Sequence, residues 1–165
     1  MPNITRVSKR RYLGMAAGVV VALVSGAALA PSTSADSPDA RHRVKTFELV
    51  GKQISAEEVD LGKPGVSVGD QRVVHEDLYR DGEKVGDHST VCAFTQVGPS
   101  ALQCLGTFAL PEGQFTAQSL LHLPAPSSVD VSITGGSGEY RTAHGFIRTV
   151  PAGETERHFT VYLQR

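Results

Sequence analysis

The amino-acid sequence predicts an all-β domain of eight short strands, closed into an antiparallel barrel or stacked as a sandwich. Three observations lead there. After residue 42 apolar side chains recur with period 2, and no stretch keeps a helical period over three turns. Turn formers are dense, with 17 Gly and 9 Pro among 165 residues, which suits many tight turns and not a helical bundle. Aromatic residues make up 6% and Trp is absent, so a core must rest on Val, Leu, Ile and a few Phe and Tyr. The length suits one domain. A closed barrel removes the edges that an exported sheet would expose, and at eight strands it can enclose one small ligand.

Residues 1–35 have the layout of a secretory signal. Arg6, Lys9, Arg10 and Arg11 precede an apolar run from Met15 to Ala30. That run is about 16 residues, short of the roughly 20 that span a bilayer. Either Ala28-Leu29-Ala30 or Thr33-Ser34-Ala35 supplies the small residues of a cleavage site, and Pro31 directly after Ala30 favours the second. The Arg10-Arg11 pair leaves twin-arginine export open beside the general route, and an uncleaved anchor is the competing reading. Cleavage after Ala35 takes away four basic residues and no acidic ones, moving the net charge from -1 to -5. An acidic, secreted domain has no electrostatic reason to bind nucleic acid or, once the signal is gone, a membrane.

Residues 36–42 are polar and read as a disordered linker, and 43–165 as the barrel domain. Arg43 to Ile54 is the first strand, and Ser55 to Gly69 a loop broken by Gly62, Pro64 and Gly65. Asp70 to Tyr79 is the second. The turn Arg80-Asp81-Gly82-Glu83, where Gly supplies positive φ, leads to the third, Lys84 to Gln96. Val97-Gly98-Pro99-Ser100 joins it to the fourth, Ala101 to Leu110, and Pro111-Glu112-Gly113 turns into the fifth, Gln114 to Leu123. Pro124-Ala125-Pro126 breaks the chain before Val129 to Thr134, and the glycine-rich run from Gly135 to Gly138 ends that sixth strand. Thr142 to Val150 and His158 to Gln164 complete the eight.

A hairpin centred on Gly98 sets Phe94 opposite Leu102 and Cys92 opposite Cys104. Cysteines facing each other across neighbouring strands lie within bridging distance, and export favours oxidation. A Cys92–Cys104 disulfide is expected. The other outcome is two buried thiols, and a one-residue bulge would put them on opposite faces.

The segment Ile133-Thr134-Gly135-Gly136-Ser137-Gly138-Glu139-Tyr140, followed by Ala143-His144-Gly145, resembles the hallmark of the allene oxide cyclase and dirigent superfamily. Gly69-Asp70, Asp77-Leu78-Tyr79, Gly82 and Val85-Gly86 resemble its second-strand hairpin, Phe47-Glu48-Leu49 its first strand, and Gly153 with Val161-Tyr162-Leu163 its C-terminal strand. The resemblance covers residues 44–165. It implies an eight-stranded antiparallel barrel around a hydrophobic cavity, in which a bound apolar substrate is held in one shape while it cyclises or couples. It also implies a homodimer or homotrimer through outer barrel faces.

Carried onto this sequence, the resemblance makes Glu48 the first-strand cavity carboxylate and Glu76 the counterpart of a second-strand Asn, with Cys92 matching a cavity Cys. The family's polar partner two residues after the first carboxylate is here Val50. Alternation sets Glu48 with Val50 on one face, and Val74, Glu76 and Leu78 on another. If those faces look inward, two carboxylates enter the cavity as general acid candidates. At the rim they would be solvated instead. Phe94, Leu102, Phe108, Phe115 and Phe146 line the interior or fill it. The six His show no metal-ligand spacing, the glycine run lacks the Lys and helix of a phosphate loop, and no nucleophile elbow is present. Neither metal nor cofactor is expected.

The expectation is an exported barrel that binds a small hydrophobic molecule and directs its cyclisation or stereochemistry as an isomerase or cyclase. Glu48 and Glu76 are its catalytic candidates. Val50, Val74, Leu78, Phe94, Leu102 and Phe115 are its ligand-binding candidates. The alternative is a non-catalytic secreted ligand-binding or scaffold barrel.

Overall fold

The computed structural model describes residues 44–164, so the signal expected over 1–35 and the linker over 36–42 lie outside the described residues. Eight strands follow in order: β1 (Lys45–Val59), β2 (Gln71–Arg80), β3 (Glu83–Gln96), β4 (Ala101–Leu110), β5 (Gly113–His122), β6 (Val129–Gly136), β7 (His144–Pro151) and β8 (Glu156–Gln164). Each pairs antiparallel with the next, and β8 pairs back onto β1 from Lys45↔Leu163 to Lys52↔Glu156, closing a barrel rather than a sandwich.

The boundaries follow the sequence closely except in four places, one being β7, which starts two residues late at His144. β1 runs on to Val59 through residues expected in a loop, because Ser55 to Val59 pair with β2 after the β8 ladder has ended at Lys52. Ser55 to Val59 are wholly exposed, so this part of β1 carries no alternating burial. β8 starts two residues early, at Glu156. β6 continues through Gly135 and Gly136 before a single 3-10 turn, Gly138–Tyr140. A Cβ on Gly136 would meet the Tyr140 and Gln114 carbonyl oxygens at 2.5 and 2.6 Å, so only glycine lets these three backbones approach.

In a barrel with sequential neighbours, connections alternate between two ends. One end carries the 81–82 and 111–112 turns and the 137–143 segment, and buried apolar side chains fill it. Leu49, Leu78, Leu110, Phe115, Tyr140, Val161 and Leu163 belong to one core there. Each large apolar side chain so buried contributes roughly 1.5–3 kcal/mol. Glu112 accepts hydrogen bonds from Arg80 Nη1 at 3.1 Å and from the Tyr140 hydroxyl at 3.5 Å, and burial pushes the Tyr140 phenol above its ordinary pKa.

The other end carries the 60–70, 97–100, 123–128 and 152–155 connections. Here the β5–β6 ladder stops at Gln118↔Ser132, so Ser119–His122 and Val129–Val131 flank a gap that no ladder bridges. The barrel is filled at one end and parted at the other, and this places the site.

Candidate functional site

The site begins with a bulge. The β2–β3 hairpin starts with Arg80↔Glu83 and Tyr79↔Lys84, and then the register shifts so that Leu78 faces Gly86. The shift turns the whole upper ladder by one residue. Glu76 thereby faces His88 instead of Asp87. Both point inward, Glu76 with 1% and His88 with 5% of its surface exposed.

A carboxylate that deep must be paired. Glu76 Oε2 lies 2.8 Å from His88 Nδ1, and its Oε1 lies 2.7 Å from Arg157 Nε. Oε1 accepts no well-directed hydrogen bond, so the Arg157 contact is mainly electrostatic. Because a carboxylate faces Nδ1, that nitrogen donates; Nε2 lies 2.7 Å from the Thr90 hydroxyl, from which it accepts when the ring is neutral. The imidazole stacks on Phe108 with ring centroids 4.1 Å apart and meets the edge of Phe159 at 5.4 Å. Thr90, His88, Glu76 and Arg157 form one connected polar line through an apolar wall.

Two glycines make room for it. Arg157 on β8 sits opposite Gly51 on β1, and Glu76 lies on the next strand beyond. The arginine reaches Glu76 across a position that has no side chain. A Cβ on Gly51 would lie 2.7 Å from Phe159 Cε2 and 3.1 Å from Glu76 Oε2. A Cβ on Gly106 would lie 2.8 Å from both His88 Nε2 and Thr90 Oγ1.

This polar line borders a cavity of about 140 Å³ in the parted half. Its walls are His88, Thr90, Cys92, Cys104, Gly106, Phe108, Ala117, Ser119, Leu121, Val129, Val131, Ile147, Thr149, Arg157 and Phe159. An apolar cavity of about 150 Å³ holds a single aromatic ring. The walls are apolar and aromatic, with three hydroxyls, one imidazole and one guanidinium.

Cys92 and Cys104 are directly opposite in the β3–β4 register and form the expected disulfide, which faces this cavity. A bulge is present, but it lies between Phe94 and Gln96, next to the turn. It sets the register that aligns the cysteines.

The other expected site residues are placed differently. Glu48 is exposed on the outer face, because Leu49 and Gly51 take the inward positions of β1. The expectation of a Glu48 carboxylate in the cavity is corrected accordingly. Val50 shares that outer face, half-buried. Leu78 and Phe115 belong to the packed end. Val74 and Leu102 are buried and Phe94 half-buried, but none of the three borders the cavity. Glu76 is interior, one layer behind the wall, where it holds two residues that do border it. Phe108 lines the cavity, whereas Phe146 stacks on Tyr162 away from it.

His88 and Arg157 were not singled out from the sequence. Counting metal-ligand spacings passed over His88, whose partner is a carboxylate twelve residues away. The available signal was an inward Glu on one arm of a hairpin and a His on the other.

Comparison with known proteins places this architecture. Among curated proteins no relative matches. A pyocyanin demethylase of known structure is 31% identical, with a TM-score of 0.62, 72% of this chain covered and 99% of that one. A Diels–Alderase from Streptomyces koyangensis is 17% identical at a TM-score of 0.60, with 76% of this chain and 65% of that one covered. A pterocarpan synthase dirigent protein is 11% identical at 0.59, with 73% and 84% covered. The last two show a shared fold. The family model described as allene oxide cyclase barrel like domain matches residues 50–163, and by fold, hallmark segment and this match the chain belongs to the allene oxide cyclase-like barrel family.

Proposed function

We propose that this protein is an exported barrel that takes a small, ring-sized apolar molecule into its parted half and directs a proton shift or ring closure on it. His88 is the proton acceptor. The observation that carries the reading is His88 itself, an imidazole at the wall of an apolar cavity with Nδ1 fixed on the buried Glu76. Glu76 holds the ring in one tautomer and stabilises the imidazolium that forms when Nε2 takes a proton. Thr90, hydrogen-bonded to Nε2, either yields that position to the substrate or passes its proton on. Phe108, Phe159 and the aliphatic walls confine the molecule, so it reacts from one shape.

Two further observations support the reading. The related structures include a Diels–Alderase and a dirigent protein, and the relative at 31% identity is named for a reaction on a small molecule, pyocyanin. The disulfide is compatible with an extracellular protein.

Cyclohex-2-enone, a single-ring ketone with acidic C–H bonds beside its carbonyl, tests this. Wild-type protein in D2O is expected to speed deuterium incorporation at those positions over the buffer rate, read by proton NMR. His88→Gln should lower the acceleration about 100-fold, the lower end of general-base effects, while Ser119→Phe, which fills the cavity, should abolish it. Binding of the ketone with no acceleration would mean a ligand carrier instead of a catalyst.

A further inference from the structure

Arg157 forms an ion pair with Glu76, yet its side chain borders the cavity and is 36% exposed. Arg157 and His88 are the two ionisable side chains in the cavity wall. Arg157 uses Nε for Glu76. Among the described residues no side-chain hydrogen bond engages Nη1 or Nη2. A guanidinium held by its Nε side keeps its end-on edge, two parallel N–H donors in one plane, ready for a second acceptor. The group that matches that edge is a planar carboxylate.

The surroundings fit the same ligand. Gly51 and Pro151 are opposite Arg157 on the two neighbouring strands, so no acidic side chain flanks it across the sheet. Thr90, Ser119 and Thr149 add hydroxyl donors to the wall. Glu76 already balances one unit of charge. It lies on the near side of the guanidinium, however, while the ligand would lie on the far side. Coulomb attraction at contact exceeds repulsion at that greater separation.

We propose that the cavity is selective for a ring bearing a carboxylate, the ring lying within the apolar walls and the carboxylate held end-on by Nη1 and Nη2 of Arg157. This rests on the cavity being a binding site, as proposed above. Holding one end of the molecule also fixes which ring atom faces His88, so Arg157 orients the substrate as well as choosing it.

Benzoate and nitrobenzene test it, since they share shape and planar two-oxygen heads and differ in charge. Isothermal titration of the purified protein should show benzoate binding about tenfold or more tighter than nitrobenzene. Arg157→Gln should bring the two affinities to parity while nitrobenzene binding is retained. Because Arg157→Gln leaves Glu76 buried and unpaired, the double variant Glu76→Gln with Arg157→Gln removes both charges, and the same loss of preference is expected. Equal affinities in the wild type, or a benzoate preference that survives the double variant, would overturn the carboxylate proposal and leave the cavity reading intact. If neither compound binds, both fall.

Discussion

At Gly51 a missing side chain decides whether the polar line can exist. The arginine head must cross β1 to reach Glu76, and a methyl group there would press on Phe159 and the carboxylate. Phe159 is 2% exposed and packed against His88 and Phe108, so it has little freedom to give way. Gly51→Ala is therefore expected to destabilise the fold by about 1–3 kcal/mol, the usual cost of overpacking a well-filled interior. Urea denaturation measures it, and a shift under about 0.5 kcal/mol would show that the crowding is absorbed. Alternation put Glu76 on one face with Val74 and Leu78 and left open whether that face looked into the cavity or lay at the rim. It did not disclose His88 as the partner, because the turn residues alone set Glu76 opposite Asp87 and the bulge after Tyr79 moves the register by one. Glu48 was misfaced for a related reason. Phe47-Glu48-Leu49 offers apolar residues on both sides of the acid, and the strand turns those two inward.

At the scale of elements, the β1–β2 connection shows how a polar loop is held at the parted end. Asp70, buried at the loop's exit, accepts from the Leu61 amide at 2.8 Å, the Ser67 amide at 2.6 Å and the Ser67 hydroxyl at 3.1 Å. The two amide bonds, Leu61 first, hold its carboxyl below the ordinary value of 3.8. A lowered folded pKa contributes stability above the unfolded value, and that contribution is lost as pH falls through the folded value. Asp70→Asn should therefore be less stable than wild type at pH 7, with the gap closing as pH falls below 3.8. Urea midpoints across a pH series measure this, and a gap that stays constant to pH 2 would assign the loss to packing. Strand positions were largely legible because period-2 alternation and Gly-Pro punctuation agree along the chain. Ser55 to Val59 escaped because neither face of that extension is covered. The cysteine register was legible from the centre of the hairpin, although the bulge at the turn was not.

For the molecule as a whole, closure was legible from eight strands and the family hallmark, while the division into a filled and a parted half was not. That division depends on where the β5–β6 ladder ends, and Pro124 to Ser128 show only that a break exists. The filled half holds Phe115 and Tyr140, and the parted half carries the cavity with Phe108 and Phe159 in its wall, the polar line and the Cys92–Cys104 bridge. A covalent link between β3 and β4 beside a gap between β5 and β6 stiffens the wall that lacks packed side chains behind it. The bridge closes a loop with a sequence separation of 12, for which chain entropy gives about 3 kcal/mol. The double variant Cys92→Ala, Cys104→Ala should lose about 2–3 kcal/mol in urea denaturation and remain a barrel. Local stability differs across a fold, so amide exchange should quicken most at Thr90 to Phe94 and Leu102 to Gly106. Phe115 and Val161, in the filled half, should open only with global unfolding. Uniform acceleration across both halves would mean that the barrel unfolds as one unit, and that the cavity wall owes no particular rigidity to the bridge.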